Sequence, residues 1–203
     1  MKIEIIDLNT GNIGSIKNML KYLNYSSSVI QRPEDSHHPD WIVLPGVGAF
    51  DYGMQRLKDT GFAEFFSKNN KNSKVLGICL GMQLLCEGSD EGQMSGLGLL
   101  KGRFRKFPEY VISGLRVPHM GWSKVRFIES RNLMNLPDDP RFYFVHSYYH
   151  DGLDPSQIWA TSEYGFSFAS AISDGNIFGV QFHPEKSHRY GMSFFKSLLG
   201  SIR

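Results

Sequence analysis

The chain has 203 residues, of which 41% are hydrophobic, enough to bury a sizeable core in one domain and too apolar for a disordered chain. Its formal net charge is +2 and its lysines and arginines are scattered, which argues against a protein built mainly to hold nucleic acid. No apolar run approaches the roughly 18 residues of a membrane span, and the opening "MKIEIIDLNTGN" has no apolar stretch of signal-peptide type.

"KIEIID" (2–7) reads as a buried strand, and Ile13, Ile16, Leu20 and Leu23 predict a helix after it. "SSVIQ" (27–31) and "WIVLP" (41–45) predict two more strands, the latter stopped by Pro45 and the glycines that follow. Met54, Leu57, Phe62 and Phe65 predict one helix, and "KVLGIC" (74–79) a fourth strand with a helix behind it. Such alternation predicts a parallel sheet with helices on both faces. Farther on, strand-like pieces crowd together: "LGLLKGRFRKF" (97–107), "SKVRFI" (123–128), "RFYFVHSYY" (141–149) and "QIWATSEYG" (157–165). "FASAISDGNIFGVQFH" (168–183) reads as a hairpin turning at Asp174-Gly175. A last helix carries Phe194, Phe195, Leu198 and Ile202. The expected architecture is α/β: a mostly parallel sheet with an antiparallel extension, in a single domain over residues 1–203.

Chemistry concentrates at "GICLG" (77–81), which has the form Gly-x-nucleophile-x-Gly at a strand-to-helix corner. Gly77 and Gly81 remove side chains where the chain doubles back, and Cys79 would be thrust out over the sheet edge. The free N–H groups of the helix start, that of Leu80 first, would then favour an anion. The alternative is a buried cysteine packing as a small apolar residue, which is the expected state of Cys86 inside the following helix. Two cysteines on one short segment give no disulfide framework and no zinc spacing. A reducing cytoplasm is the expected compartment, and neither metal nor cofactor is expected.

A cysteine nucleophile needs a base, and the base a group that orients it. Among the histidines, His37 and His38 sit in a polar loop, while His119 and His146 lie in apolar or aromatic context. His183 ends the apolar strand "IFGVQF", with Pro184 next and Glu185 two residues on. It thus places an imidazole and a carboxylate at the carboxyl end of a strand, where open α/β sheets form their sites. Alone, "HPE" is a weak signal; beside "GICLG" the two strengthen each other. The loop "LPGVGAF" (44–50) can turn a backbone N–H toward an oxyanion or can be an ordinary turn.

Together these motifs resemble the class I glutamine amidotransferases, over essentially the whole chain. The likeness is closest to the glutaminase subunits of imidazole glycerol phosphate synthases. It rests on "DLNTGNIGS" (7–15), "PGVGAF" (45–50), "GICLGMQLL" (77–85), "PHMGW" (118–122), "FYFVHSYY" (142–149) and "GVQFHPEKS" (179–187). The resemblance implies a flavodoxin-like amidotransferase fold and a Cys79, His183, Glu185 triad. It implies an oxyanion hole near Leu80, Val47 and Gly48, and glutamine held by Gln83, Ser147 and Tyr148. Trp122 and Tyr143 would contact a (β/α)8-barrel cyclase partner, with Asn12 and Ser15 near the ammonia exit.

One departure is Ser123, where the family continues "PHMGWN". It leaves open a paralogous subunit that supplies ammonia for amidating a surface-polysaccharide sugar. Two further alternatives are a stand-alone γ-glutamyl cysteine hydrolase and an inert scaffold subunit. "HPE" and "PHMGW" weigh against the first, the intact triad residues against the second.

Overall fold

The first apolar runs become β1 (Ile3–Ile6), β2 (Ser27–Ile30), β3 (Trp41–Gly46) and β4 (Lys74–Cys79). Helices α1 (Ile13–Tyr22), α2 (Phe50–Asp59), α3 (Phe62–Asn69) and α4 (Leu80–Leu85) follow or separate them. The computed structural model describes residues 1–69, 73–109, 114–128, 136–152 and 154–200. Later strands are β5 (Gly88–Ser89), β6 (Arg103–Lys106), β7 (His119–Lys124), β8 (Arg126–Phe127), β9 (Arg141–His146) and β10 (Tyr148–Asp151). After them come β11 (Ile158–Glu163), β12 (Ser167–Asp174), β13 (Ile177–Val180) and the helix α5 (His188–Gly200).

An eight-stranded sheet in the order β2-β1-β3-β4-β13-β12-β11-β8 is the frame. Its members from β2 to β13 are parallel, and β12, β11 and β8 extend it antiparallel. That is the sheet the sequence predicts. Alternate strand residues face two separate cores. Ile16 and Leu20 of α1 and Phe194, Phe195 and Leu198 of α5 pack on Ile5, Val43, Leu76 and Ile78. On the other face Met54, Leu57, Phe62, Leu80 and Leu84 from α2, α3 and α4 pack on Ile42, Leu44 and Val75. No helix among the described residues is long and apolar enough to cross a membrane.

Several local expectations are corrected. The single helix predicted across Met54 to Phe65 is two, because Gly61 at φ +83° caps the first one: its N–H bonds to the Lys58 carbonyl. "RFYFVHSYY" divides at Ser147 into β9 and β10, which enter different sheets: β9 pairs with β7, β10 with β6. "SKVRFI" likewise divides at Val125, whose N–H bonds to Pro140, so β7 and β8 part company. In "LGLLKGRFRKF" only Arg103–Lys106 is strand; the N–H groups of Leu97, Leu99 and Leu100 bond to the carbonyls of Leu84 and Leu85 and cover the end of α4. In the hairpin Asp174 pairs with Ile177, so the turn is Gly175-Asn176, with Gly175 at φ +55°. Cys86 lies just past α4 rather than within it. Ile202 lies outside the described residues.

Helix α4 approaches the sheet closely enough that side chains are excluded. A β-carbon on Gly81 would lie 1.8 Å from the Leu44 carbonyl oxygen, and one on Gly77 would lie 2.6 Å from Leu85. By contrast, Gly14 in α1 has open space around its would-be β-carbon. Gly81→Ala is expected to lower stability by about 1–3 kcal/mol through overpacking, and Gly14→Ala to raise it by about 0.5–1 kcal/mol through helix propensity. Urea unfolding of the two variants measures both, and a Gly81→Ala protein as stable as its parent contradicts the close approach.

Candidate active site

Strand β4 ends on Cys79, whose backbone sits at φ 55°, ψ −112°. Residues with side chains rarely adopt this region, and holding one there stores about 1–3 kcal/mol of strain. The surrounding packing imposes it. Gly77 and Gly81 let α4 fold back over β3 and β4, and Gly46, paired with Cys79 across β3 and β4, has Leu80 3.0 Å from where its β-carbon would stand. The thiol is 6% exposed.

Strand β13 runs beside β4, pairing Val180 with Ile78, so the chain leaving β13 passes the thiol. There the His183 N–H donates to the Tyr143 carbonyl at 2.8 Å, and Pro184 starts a one-turn helix, Pro184–Lys186. The Ser187 hydroxyl fastens this turn: it donates to the His183 carbonyl at 2.6 Å and accepts the Tyr143 N–H at 2.9 Å. A β-carbon on Gly191 would lie 1.8 Å from the Pro184 carbonyl, so the start of α5 presses on the same turn. The imidazole and carboxylate side chains of His183 and Glu185 are 1% and 3% exposed, with Nδ1 2.8 Å from Oε1. A carboxylate oxygen only accepts, so Nδ1 carries the hydrogen and Nε2 is left for the thiol. At full hydrogen-bond geometry Nε2 is unpartnered, yet Cys79 is near enough to act on the ring. Burial pushes the imidazole pKa down; the Cys79 charge and side-chain hydrogen bonding, then Glu185, outweigh burial and raise it to about 9.

The structure brings Cys79, Leu80, Val47, Gly48, Gln83, Ser147 and Tyr148 onto one cleft of about 280 Å³. A larger cleft of about 440 Å³, bordered by Asp7, Gln31, Arg32 and Arg56, does not include the thiol. Gly48 is at φ +107°, whereas the Val47 N–H is turned to the Thr10 carbonyl and so is engaged away from the sulfur. Asn12 and Ser15 lie off the cleft: the Asn12 side-chain Oδ1 accepts the Ser15 N–H and caps α1. Trp122 and Tyr143 also lie off it. Trp122 is 45% exposed, stacked on His188 at 5.7 Å and edge-on to Tyr143 at 6.4 Å.

Over residues 4–198 the sequence matches the family described as glutamine amidotransferase class-I. The chain belongs to the class-I glutamine amidotransferase family. Among its relatives, the imidazole glycerol phosphate synthase subunit HisH 2 of Methanococcus maripaludis is 43% identical, the match covering 97% of this chain and 98% of that protein. The imidazole glycerol phosphate synthase subunit HisH of Bdellovibrio bacteriovorus is 41% identical, covering 96% and 98%. A crystal structure of a glutamine amidotransferase superposes with a TM-score of 0.75 at 17% identity, covering 98% of each chain. PurLQS from Thermotoga maritima gives 0.74 at 18% identity, covering 100% of this chain and 99% of that one. At these identities the two structures speak for the fold, which is that of the class-I amidotransferases.

In this amidotransferase, sequence reasoning passed over three groups near the thiol. Glu91 lines the cleft and accepts the Phe50 N–H at 2.9 Å. Burial raises its pKa, against that hydrogen bond and helped by Asp51. Nothing in "SDEGQ" marks it, because several acids there are equivalent until the loop folds. Gln181 donates from Nε2 to the Cys79 sulfur at 3.6 Å; an amide after an apolar strand is visible in the sequence, but its partner is not. The third group is a pair of histidines that the sequence placed only in apolar or aromatic context. His119 Nδ1 lies 2.9 Å from His146 Nε2, His119 Nε2 2.8 Å from the Ser123 hydroxyl, and His146 Nδ1 2.7 Å from the Tyr148 carbonyl. The carbonyl accepts only, so the hydrogens are ordered: Ser123 donates to His119, His119 to His146, and His146 to Tyr148. Ser123, the departure from the family pattern, anchors the outer end of this chain.

Burial holds His119 at about 4 and His150 at about 4, and burial with the nearby charges of His119 and His183 holds His146 at about 3. Unfolded, all would titrate near 6.5. Between these values the unfolded chain binds protons that the folded chain refuses, so stability falls as pH drops from about 6.5 toward 4, by up to about 1.4 kcal/mol per unit for each histidine. His183 has the opposite sign: its contribution is complete below 6.5 and is lost as pH rises through about 9. Thermal unfolding followed from pH 7 to pH 4 should show the midpoint falling, and a His119→Phe, His146→Phe double variant should fall less steeply.

Proposed function

We propose that this amidotransferase is the glutaminase subunit of an imidazole glycerol phosphate synthase. It hydrolyses L-glutamine to glutamate and ammonia, and the ammonia passes to a (β/α)8-barrel cyclase partner that makes imidazole glycerol phosphate and an aminoimidazole carboxamide ribotide in histidine biosynthesis. Residues 1–203 act as one amidotransferase domain, working in the cytoplasm. The observation that carries the reading is the buried His183–Glu185 pair at 2.8 Å, coupled by charge to the Cys79 sulfur at one end of the cleft. Relatives named as HisH subunits of that synthase, matched nearly end to end, support the reaction and the partner.

Each residue has a role that its chemistry allows. Gln83, Ser147 and Tyr148 hold the glutamine, and the Glu91 carboxylate, with no lysine or arginine among the described residues lining the cleft, receives the α-ammonium. Cys79 attacks the side-chain carbonyl carbon as thiolate while His183 carries the proton. The carbonyl oxygen becomes an oxyanion facing the Leu80 N–H at the start of α4. The C–N bond then breaks, with the His183 proton passing to nitrogen, and ammonia departs from a γ-glutamyl thioester. Water, deprotonated by His183, attacks the thioester carbon; glutamate leaves and the thiol is restored. Glu185 holds Nδ1–H throughout, so the same nitrogen, Nε2, serves both steps. Trp122 and Tyr143 form part of the partner contact, and Asn12 and Ser15 border the ammonia exit.

The Val47 N–H is the missing second donor. It is bonded to the Thr10 carbonyl, and rotation of the peptide between Gly46 and Val47, whose Gly46 carries no side chain, would turn it to the oxyanion. Partner binding biases that rotation. One oxyanion donor is worth about 10²–10³ in rate, so the isolated chain should hydrolyse glutamine slower by about that factor than the complex with acceptor bound. Equal turnover in the two states contradicts the gate.

Cys79→Ala should abolish glutamine-dependent synthesis in the reconstituted complex and leave synthesis from added ammonium salts near the parental rate. Both rates are read by formation of imidazole glycerol phosphate. Loss of both indicates a failed interface, and retained glutamine use excludes Cys79 as the nucleophile.

A further inference from the structure

One buried amide near the sulfur has no part in the mechanism above. Gln181 is 1% exposed and continues from β13, with its N–H on the Ser170 carbonyl of β12 at 2.9 Å. Its neighbours Val180 and Phe182 are fully buried apolar residues of one core, so its side chain projects to the opposite face, where α4 lies. Small residues open that face: a β-carbon on Gly179 would sit 2.6 Å from Met82 of α4. Burying an amide in such a place is unfavourable unless its groups are bonded. Both are. Its oxygen accepts from Gln83 Nε2 at 3.3 Å, and its own Nε2 donates to the Cys79 sulfur at 3.6 Å.

We propose that Gln181 is a positioning residue for the nucleophile: its amide, oriented by Gln83, donates a hydrogen bond that fixes the Cys79 sulfur toward the cleft and favours its anionic form. The proposal rests on the glutaminase reading above. The sulfur has few other restraints. The Val145 carbonyl is 3.9 Å away and accepts only from the neutral thiol. Once the proton has left, that carbonyl offers the anion nothing. The Gln181 N–H serves both forms, and serves the anion better, because hydrogen bonds to charged groups are the stronger ones. Gln181 neither gains nor loses a proton during the reaction.

The test uses the full chain with its cyclase partner and two variants. Gln181→Met keeps the volume and removes the donor; Gln181→Glu keeps the acceptor for Gln83 and sets an oxygen against the sulfur. Alkylation of Cys79 by chloroacetamide is followed across pH, alongside kcat and KM for glutamine and the melting temperature. In Gln181→Met the alkylation profile should move to higher pH, with alkylation at pH 7 and kcat each about tenfold lower and KM within about twofold of the parent. Gln181→Glu should move the profile farther in the same direction. Profiles that overlay the parent's while kcat falls reduce Gln181 to a packing role and overturn the proposal, as does unchanged kcat. If Gln181→Met melts too early to assay, Gln181→Glu decides by the same profile. Failure of the parent itself to hydrolyse glutamine overturns the glutaminase reading, while the alkylation profiles still decide whether Gln181 holds the sulfur.

Discussion

The arrangement of the site depends on how closely α4 is pressed onto the sheet. With a β-carbon of residue 81 only 1.8 Å from the Leu44 carbonyl, that position accommodates glycine alone, and the chain between Gly77 and Gly81 has room only for a sharp reversal. Cys79 stands at the apex and takes a positive φ as a result. A strain of about 1–3 kcal/mol at one residue is small beside the apolar burial on both faces of the sheet, which supplies the counterweight. The first turn of the helix thereby presents its unpaired N–H groups at the point where the sulfur emerges.

Around this corner, histidines of similar burial are driven in opposite directions by their partners. His183 faces a carboxylate and a sulfur that can be an anion, and its protonated form is favoured up to about 9. His119 and His146 face each other, a hydroxyl and a carbonyl. None of these supplies negative charge, and desolvation keeps both rings neutral. One consequence is a proton carrier beside the thiol. The other is a rigid, directional string of hydrogen bonds running from Ser123 on β7 to Tyr148 at the cleft wall. It fixes the bend at Ser147 that separates β9 from β10.

The face away from the thiol has a different character. Trp122 lies flat on His188 and half open to solvent, with Met120 61% exposed on the same strand. Lys186 stands over the Tyr143 ring at 5.9 Å, and Tyr143 in turn is tied by its backbone to His183. A contact formed over Trp122 and Tyr143 therefore reaches the turn that carries His183 through the His183 N–H, the Ser187 hydroxyl and the Lys186 side chain. On the other side of the thiol, the loop that carries Thr10 holds the Val47 N–H and leads directly into the Asn12 cap of α1.

Much was legible in the sequence because it is encoded locally. Hydrophobic period, glycine spacing at 77 and 81, and the Pro184 between His183 and Glu185 fix the strand-helix rhythm, the cysteine corner and the orientation of the imidazole by its carboxylate. The parallel character of the sheet's first strands followed the same way, but their order, β2-β1-β3-β4-β13, came from the structure. Where neighbours in sequence enter different sheets, the pattern fell silent: nothing in "RFYFVHSYY" or "SKVRFI" announces the break at Ser147 or Val125, because each break is decided by which distant strand supplies the next hydrogen bond. Gln181, Glu91 and the His119–His146 pair belong to that second kind. An amide, a carboxylate and two imidazoles acquire meaning only from the groups that folding sets against them. The sequence by itself set Cys79, His183 and Glu185 at the carboxyl ends of neighbouring strands. Tertiary structure alone decided their protonation and their partners, since burial and hydrogen bonding are properties of the enclosed space and not of the chain.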